Sequence, residues 1–167
     1  DSLQLKNVID LTKIIDKKVK YYGSTPILQI VPDVASEREA IFKQLLNAST
    51  MLKNFKVFKN EDLPARWHFN NKDRVGPITV LADLGFGFQD MYDNAKFYEE
   101  AYHIPVNNEN KYGVHGYDNK YETMHPIFFA YGNMIKSQTV VEPFDSVDLM
   151  FLFCEILGIS PPDYLMG

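Results

Sequence analysis

One short segment of the sequence has residue types that could do chemistry: a histidine between glycines, followed three residues later by a carboxylate. The segment is Gly113-Val114-His115-Gly116-Tyr117-Asp118-Asn119. Because glycine has no side chain, the imidazole of His115 could reach a metal ion or a substrate, and Asp118 could orient that imidazole from behind. The alternative is a loop histidine in water with turn-forming neighbours. Both interpretations place His115 in a loop.

The other three histidines are weaker candidates. His68 stands between two aromatic residues in an alternating stretch, and His103 precedes Ile-Pro, so both are interpreted as structural or solvated. His125 precedes a proline and is expected to pack. The sequence has no cysteine pair and no His-Glu-x-x-His, so it lacks a contiguous zinc motif. Gly85-Phe86-Gly87 lacks the third glycine and the lysine of a phosphate-binding loop.

Aromatic residues crowd the segment from residue 86 to residue 117. They are Phe86, Phe88, Tyr92, Phe97, Tyr98, Tyr102, Tyr112 and Tyr117. Such rings could stack on a base or a sugar, and ordinary packing is the alternative. The sequence leaves both open.

Length, composition and charge exclude several classes of protein. The chain has 167 residues, of which 46% are hydrophobic, which is typical of one folded domain. Its net charge of -5 excludes a broad basic surface for long nucleic acid. The longest stretch without Asp, Glu, Lys or Arg, Thr123 to Ile135, is too short for a membrane helix. The opening Asp1-Ser2 lacks an initiator methionine, and we expect a mature or cut chain.

Apolar patterns predict alternating strands and helices. The predicted strands are Val8 to Leu11, Pro26 to Pro32, Phe55 to Lys59, a hairpin of Arg66 to Phe69 with Pro77 to Ala82, and Ile127 to Ala130. The predicted helices are a short one from Thr12, a helix with Ser36 and Glu39 as its capping box, and Val147 to Leu157 capped by Asp145 and closed by Gly158. Asp90 to Tyr117 is predicted to be a long surface loop. This alternation indicates a layered α/β fold.

Two residues indicate covalent modification. Asn47-Ala48-Ser49 is an N-glycosylation sequon, and Asn47 lies on the polar face of the second predicted helix. Cys154 is the only cysteine, so it cannot form a disulfide within this chain. By itself it favours a reducing compartment or a partner thiol elsewhere.

Several segments, taken together in order and spacing, resemble the ectonucleotide pyrophosphatase/phosphodiesterase family. They are Leu63-Pro64-Ala65-Arg66, Arg74-Val75-Gly76-Pro77-Ile78, Ala82-Asp83-Leu84-Gly85-Phe86, the segment around His115, Met124-His125-Pro126-Ile127-Phe128, and Pro143-Phe144 through Val147-Asp148 to Cys154-Glu155-Ile156-Leu157-Gly158-Ile159. The resemblance covers nearly the whole chain. It is strongest to the smaller members, which lack a nuclease-like domain, and to the C-terminal part of their catalytic domain.

The resemblance implies an alkaline-phosphatase-like α/β domain that uses two zinc ions to cleave phosphodiester or pyrophosphate bonds of nucleotides or related small molecules. His115 matches the last zinc ligand of that family. The Thr or Ser nucleophile and the other ligands would lie upstream of Asp1, so residues 1–167 would form the C-terminal portion of one domain. No catalytic residue is assigned within this chain, which would be inactive without the N-terminal portion. The alternative is a noncatalytic binding or structural protein that keeps the scaffold.

The resemblance also implies an extracellular location, either secreted or as a membrane-anchored ectodomain. In that oxidising compartment Cys154 is predicted to pair with a cysteine outside this chain, and a buried free thiol is the alternative. Asn47 is predicted to carry glycan.

Overall fold

The computed structural model describes residues 1–162, which fall into two compact units, 1–125 and the part from Pro126 onward. Each unit is described separately. The last five residues of the predicted 1–167 domain lie outside the described residues. That the whole chain is one portion of a single catalytic domain stays a prediction.

The first unit mixes short strands with two α-helices. Its strands are β1 Ser2–Gln4, β2 Val8–Ile9, β3 Val19–Ser24, β4 Ile27–Pro32, β5 Phe55–Lys59, β6 Ile78–Ala82, β7 Gly87–Phe88 and β8 Lys111–Gly113. Its α-helices are α1 Arg38–Leu52 and α2 Asp90–Tyr102. Single 3₁₀ turns cover Leu5–Asn7, Leu11–Lys13, Ala35–Glu37, Asn60–Asp62, Ala65–Trp67 and Glu122–Met124.

The central sheet has four antiparallel strands in the order β3-β4-β6-β5. In β4 buried and half-buried residues alternate, while all five residues of β6 are buried, Thr79 among them. Ile30 of β4 pairs with Ile78 of β6, and neither side chain is exposed. The strands predicted at Pro26 to Pro32 and Phe55 to Lys59 are confirmed.

One helix covers a face of this sheet. Ile41 and Leu45 of α1 are fully buried, as their spacing of four residues predicts for one helix face. Phe55 of β5 meets Phe88 of β7 edge to face, with ring centroids 6.1 Å apart. These contacts form the core from which the loops extend.

The N-terminus of α1 differs from the predicted capping box. The chain first makes the 3₁₀ turn at Ala35–Glu37, the α-helix begins at Arg38, and no side chain caps it. Because Ser36 lies inside that turn, it is not at the position from which a side chain caps a helix. At the other end of α1, the spacing of the apolar residues Ile41, Leu45, Ala48 and Leu52 predicts that all four share one buried face, but Leu52 is half exposed.

The predicted strand Arg66 to Phe69 is wrong. Ala65–Trp67 forms a 3₁₀ turn after Pro64, and His68 has a left-handed φ of 48°, which strand residues do not adopt. There is no hairpin with Pro77 to Ala82, since β6 pairs instead with β4 and β5.

The predicted surface loop from Asp90 to Tyr117 is also wrong. The segment contains the 13-residue helix α2 and the strand β8. Only Met91 and Ala95 of α2 are buried, so the helix carries almost no apolar stripe by which its period could be recognised.

The second unit contains α3, Leu149–Leu157, preceded by a 3₁₀ turn at Ser146–Asp148. Gly158 closes the helix with φ 65°, as predicted, but the side chain of Asp145 makes no capping hydrogen bond.

Ile127 to Ala130 is not the predicted buried strand: Ile127 is 95% exposed, and residues 126–162 offer no strand with which it could pair. Cys154 is buried on α3. None of the helices in residues 1–162 has the length and apolar character needed to cross a bilayer.

Candidate functional site

The loop that carries His115 begins where β8 ends. β1 pairs with β8 antiparallel, and the amide of Val114 donates to the carbonyl of Asp1 over 2.9 Å. Val114 is buried, whereas His115 and Gly116 are exposed. Gly116 has φ 93°, which glycine adopts without strain and other residues rarely adopt. The loop therefore turns out of the core at His115, as the sequence predicts.

Tyr117 holds the loop from the next position. Its side chain is buried, and its phenol donates to the carbonyl of Phe86 over 2.7 Å. Burial disfavours the phenolate and raises the pKa of Tyr117 to about 12. Tyr117 is therefore a neutral donor at every pH of interest.

Asp118 forms the strongest electrostatic contact of the loop. Its two carboxylate oxygens accept from the two terminal nitrogens of Arg66 over 2.7 and 2.8 Å, and one of them also accepts from the amide of Lys120 over 3.0 Å. Arg66 also donates to the side chain of Asn119. The guanidinium lowers the pKa of Asp118 to about 2, against the opposing effect of burial. A two-pronged ion pair thus fastens the loop to the 3₁₀ turn at Ala65–Trp67.

Asp118 contacts Arg66 rather than His115. Within residues 1–162 no hydrogen bond joins Asp118 to the imidazole, so the direct orientation of His115 by Asp118 that the sequence suggests is not seen in this structure. Arg66 was only part of a matched segment in the sequence and carried no role of its own. No local pattern in the sequence indicates that the partner of Arg66 is Asp118, which lies 52 positions further along the chain.

Replacing Asp118 by asparagine is expected to destabilise the protein by about 1–2 kcal/mol at pH 7. One pKa unit corresponds to about 1.4 kcal/mol, and solvent around half-exposed Arg66 reduces the effect. Since the pKa of Asp118 is lowered, its stabilisation is complete above about pH 4 and is lost as pH falls through about 2. Urea unfolding of both proteins across pH 2 to 7 measures the difference. A constant difference down to pH 2 would contradict the account, and exposed Asp73→Asn is the control.

A cavity of about 300 Å³ opens beside His115. Its walls come from the β3–β4 turn, from one face of α2 and from the His115 loop; the residues that line it are Ser24, Thr25, Pro26, Ile27, Met91, Asn94, Tyr98, Tyr112, Gly113, Val114, His115 and Gly116. The sequence patterns did not indicate that Asn94 and Tyr98 of α2 lie side by side at this cavity. Their spacing of four residues places them on one helix face, but only once the segment is known to be a helix.

The other histidines lie apart from this cavity. His68 and His103 are exposed with left-handed φ values of 48° and 56°, in agreement with the solvated interpretation. His125 is exposed and pairs with the carbonyl of Asn119 over 2.9 Å, so the expectation that it packs is wrong. In the described part of the chain, no three His, Cys, Asp or Glu side chains come together as a metal site. His115 is thus a single candidate ligand.

The two modification candidates lie on helices. Asn47 is exposed on α1, as predicted, while the hydroxyl of Ser49 donates to the carbonyl of Phe55 over 2.8 Å. Cys154 is buried on α3 as a free thiol in this chain. Glycosylation of Asn47 and an external partner for Cys154 stay predictions.

Comparison with known proteins places this geometry in a family. Residues 2–118 match the model of type I phosphodiesterases/nucleotide pyrophosphatases. The chain is 31% identical over 159 residues to human ectonucleotide pyrophosphatase/phosphodiesterase family member 5, and 33% identical over 140 residues to mouse family member 7. These matches cover 93% and 84% of this chain but only 29% and 27% of the relatives, so the chain spans less than a third of their length.

Solved structures agree. Murine ectonucleotide pyrophosphatase/phosphodiesterase 5 superposes with a TM-score of 0.75 at 29% identity, over 96% of this chain and 39% of that chain. An inactive variant of the murine protein, in complex with AMP, gives a TM-score of 0.76. The predicted α/β fold of alkaline-phosphatase-like type is confirmed, and so is the resemblance to the smaller family members. The chain therefore belongs to the type I phosphodiesterase/nucleotide pyrophosphatase family, among the ectonucleotide pyrophosphatases/phosphodiesterases.

Proposed function

We propose that this chain is the C-terminal portion of a zinc-dependent hydrolase that cleaves phosphodiester or pyrophosphate bonds of nucleotides or related small molecules. The observation that carries the proposal is the position of His115, an exposed imidazole at the rim of a cavity on a loop that is fastened on both sides. Membership of the phosphodiesterase family supplies the reaction class. The activity belongs to the chain together with its N-terminal portion.

The imidazole of His115 fits one zinc ligand. Neutral imidazole is the commonest protein ligand for metals, and neither ring nitrogen of His115 is hydrogen-bonded to another residue among 1–162. One donor cannot hold a zinc ion, since such ions take about four ligands. The remaining ligands and the nucleophile would therefore come from the N-terminal portion. When bound, zinc would stabilise the negative charge that develops on the phosphate oxygens.

The contribution of this chain is to fix the position of His115, the proposed zinc ligand. Tyr117 fixes the loop to the carbonyl of Phe86, and Asp118 fixes it to Arg66. A ligand whose backbone is already ordered loses little conformational entropy when it binds metal. The rigid loop thus prepares His115 for a site completed by other residues.

The test is hydrolysis of the 4-nitrophenyl ester of thymidine 5′-monophosphate by this chain joined to its N-terminal portion, in the presence of zinc. We expect turnover by the joined protein that chelation abolishes. A joined, folded protein that binds no zinc and leaves the ester intact would contradict the proposal and favour a noncatalytic scaffold.

We further propose that the protein is extracellular, either secreted or anchored as an ectodomain. Asn47 is expected to carry glycan in native material, because the sequon is intact and the side chain is exposed on α1. Peptide mass spectrometry before and after glycosidase treatment checks this. A fully unmodified Asn47 peptide would count against the extracellular assignment.

A further inference from the structure

Near its C-terminal end, α2 exposes a group of aromatic side chains. Phe97, Tyr98 and Tyr102 are 58%, 41% and 62% exposed. Their rings lie against one another, with centroids 5.8 Å apart for Phe97 and Tyr98, 6.4 Å for Phe97 and Tyr102, and 5.8 Å for Tyr98 and Tyr102. We call these three side chains the aromatic cluster of α2. Contiguous exposed apolar surface marks a site of interaction, whereas single exposed apolar residues need no explanation.

The backbone that carries the cluster is fastened at both ends of the helix. Asp90, the first residue of α2, accepts from the amide and the hydroxyl of Thr25 over 2.8 and 2.7 Å. Beyond the other end, the amide of Val106 donates to the carboxylate of Glu99 over 3.2 Å, which holds the following segment against the last turn. Ile104 and Val106 of that segment are exposed as well. An ordered surface loses little conformational entropy when a partner binds.

Exposed carboxylates surround the aromatic cluster. They belong to Asp93, Glu99 and Glu100. Asp93 lies four residues before Phe97 and Glu100 three residues after it, and Glu99 lies three residues before Tyr102, so each is next to a ring on the helix surface. None of the three forms an ion pair with another residue among 1–162. The surface therefore has an apolar centre and a negatively charged rim.

This combination is complementary to basic side chains. The face of an aromatic ring is the negative end of its quadrupole and attracts an ammonium or guanidinium group. A carboxylate beside the ring attracts the same cation. The methylene stems of Arg and Lys can also pack on the ring while the charged end stays near the carboxylate.

The same charges disfavour two other occupants. A two-fold symmetric contact between two copies of the chain would place the cluster against itself and bring the carboxylates of both copies together, which is unfavourable. A membrane surface with anionic lipids would repel these carboxylates.

We propose that the aromatic cluster of α2 is a docking surface for a basic segment of a partner protein, with Arg or Lys side chains over the rings of Phe97 and Tyr102. Neither ring lines the cavity that His115 borders. The inference therefore goes beyond the proposed hydrolysis and does not depend on it.

The test is binding of a fluorescent peptide rich in arginine and leucine to the complete protein, measured by anisotropy. A matched peptide with glutamate in place of each arginine should bind more weakly, and added salt should lower the affinity of the arginine peptide. Phe97→Ala/Tyr102→Ala removes both rings and is expected to weaken binding about 5-fold or more. Glu100→Lys is expected to weaken it about 2-fold to 5-fold.

Two variants are matched controls for these substitutions. Tyr92→Ala removes an exposed tyrosine of α2 that takes no part in the ring contacts of the cluster. Asp73→Lys reverses the charge of an exposed carboxylate outside α2. Both should bind the arginine peptide within about twofold of the wild type. Circular dichroism establishes that each variant is folded.

Equal affinity of the wild type and the double alanine variant for the arginine peptide would overturn the inference, and so would equal weakening by Asp73→Lys and Glu100→Lys. Failure of the folded wild type to bind would also overturn it and leave the N-terminal portion as the occupant of the cluster. A wild-type dimer in sedimentation, or binding to vesicles with anionic lipid, would overturn it if the double alanine variant loses that property, because the cluster would then contact a second copy or a membrane.

Discussion

Replacing His115 by alanine in the complete protein is expected to lower kcat/KM for a nucleotide phosphodiester by more than about 100-fold. Residues that only orient a metal ligand cost about 10-fold to 100-fold, and the loss of the ligand itself should exceed that. The loop should keep its structure, because His115 is exposed and the anchors at Tyr117 and Asp118 remain. Steady-state kinetics with saturating zinc measures the effect.

His68→Ala is the control for this experiment. His68 is an exposed histidine of the same unit and lies outside the cavity that His115 borders. We expect its kcat/KM to stay within about twofold of the wild type, as for a surface substitution remote from a site. Equal kcat/KM for His115→Ala and His68→Ala would show that His115 is not part of the catalytic site.

The 167-residue chain alone is expected to give no measurable hydrolysis of the thymidine ester, even with added zinc. It offers one candidate ligand in residues 1–162, whereas cleavage needs a complete metal site and an activated nucleophile. Enzymatic rate enhancements of about 10⁶-fold or more would be lost. Joining the chain to its N-terminal portion should restore turnover, and a continuous absorbance assay follows both preparations.

Two controls are needed for the comparison between the isolated chain and the joined protein. Circular dichroism establishes that the isolated chain is folded, and the joined protein with His115→Ala reports contamination by another hydrolase. Robust turnover by the folded chain alone would show that a second site exists within it. The account given for His115 would then be wrong.

The buried strands could be predicted because their signal is local. Pro26 to Pro32 is an apolar run between prolines and Ile78–Ala82 is apolar except for Thr79, so each pattern indicates a buried strand directly. The helix α2 could not be predicted in this way, since it buries only Met91 and Ala95 and its aromatic residues face outward. Its stability depends on contacts such as Asp90 with Thr25, which join distant parts of the chain.

The candidate site likewise combines features that a local sequence pattern predicts with contacts between distant parts of the chain. The glycines beside His115 are local features, and they correctly placed the imidazole on an exposed loop. The partner of Asp118 is not local: Arg66 lies on a segment predicted as a strand, and only the 3₁₀ turn after Pro64 brings its guanidinium to the carboxylate. The cavity depends on α2 and was therefore out of reach of sequence patterns.

The central claim is that His115 is a zinc ligand, and zinc content per molecule tests it most directly. The complete wild-type protein, His115→Ala and His68→Ala would be equilibrated with zinc, freed of excess metal by gel filtration and analysed by elemental mass spectrometry. The account predicts full occupancy in the wild type and His68→Ala, and the loss of about one zinc ion from His115→Ala. Full zinc occupancy in folded His115→Ala would contradict it.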